Sequence, residues 1–110
     1  SVATSVVFAG TAKAWTNING EASGPASRDS FNVGSITDVS AGKINYAISS
    51  AMVNNDYART LGAGDSASIY PSTGSSASHT TTLAVTQTTN YSNSFVDADD
   101  LNGAVHGDLA

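Results

Sequence analysis

Between Lys43 and Ser50 the large apolar residues Ile44, Tyr46 and Ile48 fall at every second position, with Asn45, Ala47 and Ser49 between them. A period of two is the period of a strand, and it places the two sets on opposite faces of a sheet. Ala41-Gly42 bounds the run with a tight-turn signal. A second run, 79–87, repeats the pattern with Leu83 and Val85 against Thr82, Ala84 and Thr86. Elsewhere short runs of β-formers are separated by turn residues, and no window carries a helical stripe. Further strands are expected over 2–8, 12–18, 31–39, 57–61, 92–96 and 103–106. Asn19-Gly20 is a hairpin turn signal. The segment 21–30 reads as an irregular loop, and 62–78 as an exposed loop or weak edge hairpin. Trp15, the one large side chain of its strand, is expected in the core, and Phe31 and Val33 on one shared face.

Composition points the same way. Leu occurs four times, Lys only at Lys13 and Lys43, and Glu only at Glu21, whereas Ser and Thr supply 29 residues. Helix formers other than Ala are scarce, and Val, Ile, Thr and the aromatics carry most of the side-chain volume. At 110 residues the chain is one domain, spanning 1–110. The expected fold class is all-β, a compact β-sandwich or jelly-roll-like domain. Many buried positions would be Ala, so the core is thin. With no cysteine to staple it, stability from oligomerisation is expected.

Charged residues make up 12% of the chain, against roughly 25% in an average globular protein. Nine acids against four bases give a net charge of −5, so neither nucleic acid nor an anionic membrane has electrostatic support as a partner. The longest apolar stretch, Val6 to Ala9, is too short to insert across a bilayer.

Catalytic and metal motifs are faint. Gly64-Asp65-Ser66 matches the nucleophile block of one esterase family, but that family places an Asp three residues before its His, and Gly103 stands three before His106. His79 and His106 are the two imidazoles, and their spacing does not support a shared metal. His79 reads as a surface or interface residue and His106 as half-buried. The stretch Asp97 to Gly103 is similar to a calcium loop, which makes Asp97, Asp99 and Asp100 weak cation candidates. Gly103 falls at the seventh position rather than the sixth, however, and no Glu closes the loop. Asn90-Tyr91-Ser92 fits the N-glycosylation pattern. Tyr70 and Tyr91, in segments read as loops, are the candidate ligand- or receptor-contacting residues. No catalytic residue and no cofactor is expected, and the chain reads as a non-enzyme.

Four blocks carry a resemblance. They are Thr11 to Gly20 (around Lys13-Ala-Trp15), Ser27 to Asp38 (around Ser30-Phe-Asn-Val33), Lys43 to Ile48, and Ala51 to Ala58 with its Met52-x-Asn54-x-x-Tyr57 pattern. The Thr-rich run 79–87, Val96-Asp97 and the final Ala104 to Asp108 follow in order. This succession resembles a domain common near the C-termini of tailed-bacteriophage tail-fibre and tail-spike proteins. It covers about 11–108, with 62–78 unaligned. The sequence departs from the pattern at His106, where a large apolar residue is expected, and at Asp100-Leu101. The resemblance implies a compact β-domain, commonly trimeric, that is a virion component without catalytic machinery.

Two virion roles follow from it. A capsid-decorating or capsid-stabilising protein would clamp the major capsid protein or other virion proteins on the particle exterior. A distal receptor-binding domain of a tail fibre or tail spike would hold a host-surface glycan or receptor. These 110 residues contain no shaft and no attachment segment, so decoration of the virion surface is the leading expectation. A carbohydrate-binding module is the further alternative. In the homotrimer, apolar residues such as Phe95, Val96 or Leu101 are expected across the symmetric interface.

Overall fold

The computed structural model describes residues 2–21, 24–65, 68–73 and 79–110. Among these residues one short helix, α1 (Thr4–Gly10), precedes eight strands: β1 (Ala12–Asn19), β2 (Ala26–Phe31), β3 (Val33–Ser40), β4 (Lys43–Ile48), β5 (Ala58–Gly64), β6 (Ile69–Ser72), β7 (Leu83–Asn90) and β8 (Asp100–His106). They form two four-stranded antiparallel sheets, ordered β2-β1-β8-β5 and β3-β4-β7-β6. The all-β sandwich expected from the sequence is the fold.

Strand alternation builds the core. Ala14, Thr16 and Ile18 of β1 and Leu101 and Val105 of β8 are buried, as are Ile44, Tyr46 and Ile48 of β4 and Ala84, Thr86 and Thr88 of β7. One cluster gathers Tyr46, Ile48, Met52, Tyr57 and Val105, and a smaller one Ile18, Ile44 and Leu101. The core is narrow because Ala14 and Ala84 supply two of its positions. Buried threonines are tolerated because their hydroxyls are satisfied: Thr86 Oγ1 donates to the Ile44 carbonyl and Thr88 Oγ1 to that of Val96, each at 2.6 Å.

Several expectations are corrected. The segment 2–8 is no strand; Thr4–Gly10 is helical. Both edges of β1 are already paired, with β2 and β8, so the preceding chain cannot pair beside β1. Conversely, the supposed loop 21–30 contains β2, drawn into register by β1 from Trp15↔Phe31 to Asn19↔Ala26 despite its poor strand propensity. The run 31–39 is two strands rather than one bent strand. Asn32, at φ 57°, turns the chain from the first sheet to the second, so Phe31 and Val33 do not share a face. Residues 92–96 form a turn in which Asn90 Oδ1 accepts from Ser92 N and Ser94 N, leaving only an isolated Thr89↔Phe95 bridge. The strand begun at 79 starts at Leu83. Within 62–78, Gly64 ends β5 and residues 69–72 make β6; residues 66, 67 and 74–78 lie outside those described. Leu101 is core, not interface. Among the described residues no helix is long and apolar enough to cross a membrane.

Candidate functional site

The parity of β1 decides where its tryptophan goes. Ala14, Thr16 and Ile18 point inward, so Trp15 and Asn17 point outward, and Trp15 is 38% exposed rather than core. Register then lays out the outer face of the first sheet in rows. Phe31, Trp15, Ala104 and Thr60 stand side by side on β2, β1, β8 and β5; Asp29, Asn17, Asn102 and Gly62 form the next row. Phe31 is 55% exposed, directly opposite Trp15. Small residues at Ala104 and Gly62 leave a depression of about 510 Å³ beside Trp15, bordered by Asn17, Thr60 and Asn102.

A β-bulge supplies the polar side of this face. The β1–β2 register passes from Asn17↔Asp29 to Ile18↔Ser27, leaving Arg28 as the extra residue. Bulges re-aim side chains, and this one sends the guanidinium across β1. Arg28 Nη1 donates to Asn17 Oδ1 (3.0 Å), to the Ile18 carbonyl (3.2 Å) and to Asp100 Oδ1 (3.1 Å); Nη2 donates to the Asp99 carbonyl (2.8 Å) and to Asp99 Oδ1 (3.2 Å). With its oxygen thus engaged, Asn17 turns Nδ2 toward Asn102 Oδ1 at 2.6 Å and Asp100 Oδ1 at 3.3 Å.

A second feature lies at one end of the sandwich. Phe8 (60% exposed), Val53 (57%) and Leu109 line a depression of about 470 Å³ together with Lys13 and Asp108. Val6 and Val7 of α1 are also exposed. Lys13 is the extra residue of a bulge between Ala12 and Ala14, and its Nζ donates to the Thr11 carbonyl at 2.8 Å.

The remaining sequence candidates are held in structural contacts or lie apart from these features. Asp97 Oδ1 accepts from Gly42 N at 2.8 Å, while Asp99 and Asp100 both engage Arg28. Among the described residues, no group of three or more His, Asp or Glu side chains is placed to hold a metal. Nearby, the Glu21 carboxyl is raised above the usual carboxylate range, first by a hydrogen bond with Asp65 and then by desolvation and the charges of Asp65, Asp99 and Asp97. Tyr70 lies on edge strand β6 opposite Thr89, not in a loop, and Tyr91 is 82% exposed in the turn after β7. Neither lines the depression beside Trp15 or the one at the apolar end. His79 is buried rather than on the surface, its ring 5.4 Å from that of Tyr57 and its Nε2 3.1 Å from the Asn55 carbonyl. His106 is half-buried, as expected. Ser66 lies outside the described residues.

The face built on Trp15, Asn17 and Asn102 was missed by sequence reasoning, although a signal existed. Ala14 and Ile18 alternate with Trp15 and the polar Asn17, and that apolar alternate set argues against an inward-facing tryptophan. No family model matches this chain, and no curated protein or solved structure matches it.

Proposed function

We propose that the chain is a non-enzymatic structural protein of a bacteriophage particle exterior, a capsid-decorating module that seats on the shell through its apolar end and assembles as a homotrimer. The observation that carries this reading is the exposed apolar end itself. Val6, Val7, Phe8, Val53 and Leu109 are solvent-exposed on a domain whose own core is thin. A seven-residue helix is marginal in water by itself, and an apolar patch of this kind marks a surface that another protein covers. The sequence resemblance to tail-fibre and tail-spike domains supplies the virion setting. The edge strands β2 and β3 carry Asp29 and Asp38, charges that discourage edge-to-edge pairing along those two edges.

Native mass spectrometry of gently disrupted particles tests the reading by counting copies of the chain per particle. Hundreds of copies, released as trimers with shell protein, are expected. A few copies travelling with tail components would replace decoration by receptor binding, and none would overturn both. A Phe8→Ser/Val53→Ser variant is expected to melt with the parent yet lose its place on the particle.

A further inference from the structure

We propose that the outer face of the β2-β1-β8-β5 sheet binds a neutral saccharide, with Trp15 as the stacking platform and Asn102 Nδ2 and Thr60 Oγ1 as partners for sugar hydroxyl groups. The proposal is independent of the shell-docking reading, which concerns the apolar end.

The geometry argues in three steps. First, an exposed Trp beside a shallow depression offers a flat apolar surface, the kind of surface on which the C–H face of a sugar ring stacks. Second, the amide chain is directional. Arg28 fixes Asn17, and Asn17 donates to Asn102 Oδ1, so Asn102 Nδ2 is turned to the opposite side, over β5. There it lies 3.8 Å from where a Cβ on Gly62 would stand, and it donates to no protein acceptor among the described residues. The missing side chain at Gly62 therefore leaves a preoriented donor open to a ligand. Trp15 and Thr60 stand in the adjoining row, about 7 Å away along the strands, within reach of hydroxyl groups on a ring stacked over Trp15. Third, charge selects the ligand. Arg28 is committed to Asn17, Ile18, Asp99 and Asp100, and Asp29 adds a further negative charge in the same row. With a net charge of −5 the protein repels anionic sugars and tolerates neutral, hydroxyl-rich ones. Arg28 is thus a positioning residue, and Trp15, Asn102 and Thr60 are the contacts.

Trp15 is the single tryptophan, so its fluorescence reports on this site alone. The purified chain is titrated with malto-, cello-, xylo- and chito-oligosaccharides and galactomannan, with polygalacturonate and heparin as anionic probes. Saturable change in Trp15 emission with at least one neutral probe is expected, together with shifted Trp15 indole and Asn102 amide NMR signals. Trp15→Ala and Asn102→Ala are expected to weaken binding about tenfold or more while each variant still unfolds cooperatively above the assay temperature. Arg28→Ala is expected to weaken it less and to broaden the Asn102 amide signals. No response to any neutral probe, preference for an anionic probe, or full affinity in Asn102→Ala would each overturn the proposal. These outcomes are separate from particle copy number, so either reading can fail alone.

Discussion

The Tyr46 phenol reaches across the sandwich from β4 to the backbone of Gly103 on β8, where a Cβ would sit 3.0 Å from the hydroxyl oxygen. That oxygen is buried and has no hydrogen-bond partner among the described residues. Tyr46 thus fills the space that Ala14 and Ala84 leave open, at the expense of an unsatisfied hydroxyl. Removing the oxygen in Tyr46→Phe is expected to stabilise the domain by about 1 kcal/mol. Gly103→Ala is expected to destabilise it by about 1–3 kcal/mol through overpacking, and by less in the Tyr46→Phe background. Urea melts of the two single variants and the double variant check the coupling.

Alkaline pH acts on the same ring. Burial, then the neighbouring Tyr57, push the Tyr46 phenol from its ordinary value of 10.0 up to about 12, against an opposing pull from Arg59. The Tyr57 phenol is also raised, by desolvation. A raised acid keeps its proton in the folded state after the unfolded state has lost it. Stability is therefore full below about pH 10 and falls between about pH 10 and 12, by roughly 2–3 kcal/mol for Tyr46. Denaturant midpoints measured across that range are expected to drop in the parent and to drop less in Tyr46→Phe.

Asn32 joins the two sheets by its conformation and by its side chain. At φ 57° it occupies the left-handed region. Its Nδ2 donates to the Lys13 carbonyl at 2.9 Å and the Ser50 carbonyl at 3.2 Å, and its Oδ1 accepts from Ser50 N at 2.7 Å. Asn32→Gly keeps the backbone and loses these bonds, at an expected cost of about 1–3 kcal/mol. Asn32→Ala is expected to cost about 1 kcal/mol more, because Ala resists the left-handed conformation. Equal losses in the two variants would remove the backbone from the explanation.

The turn at Gly42 assigns Asp97 a structural task. Gly42 has φ 70°, and a Cβ there would lie 2.5 Å from the Thr88 carbonyl oxygen and 2.7 Å from Val96 N. Asp97→Ala is expected to lower stability by about 1–2 kcal/mol, whereas Asp97→Asn, which retains an acceptor oxygen, is expected to lose less. Millimolar calcium is expected to leave the parent's melting temperature unchanged, since Asp99 and Asp100 already face Arg28. A rise with calcium that is lost in Asp99→Asn would reverse this assignment.

Much of the sandwich was legible in local order. Period-two runs placed β4 and the main part of β7, and the Ala41-Gly42 turn was read correctly because each depends on residues a few positions apart. Strand β2 was not legible: its Ala-Ser-Arg-Asp-Ser-Phe sequence lacks a strand signal, and the open edge of β1 makes it a strand. Helix α1 shows the reverse, a β-rich run that adds to neither sheet.

The sequence by itself determined the all-β class, the thin alanine-rich core and the acidic surface, since these follow from composition and alternation. Tertiary structure alone decided which parity of β1 faces inward, and with it the exposure of Trp15. It also decided that a one-residue bulge aims Arg28 at Asn17 and Asp100, residues 11 and 72 positions away. Alternation defines two faces but not which one is buried. That choice is made by the opposing sheet, where Tyr46 and Ile44 admit Ala14, Thr16 and Ile18 and leave the indole outside.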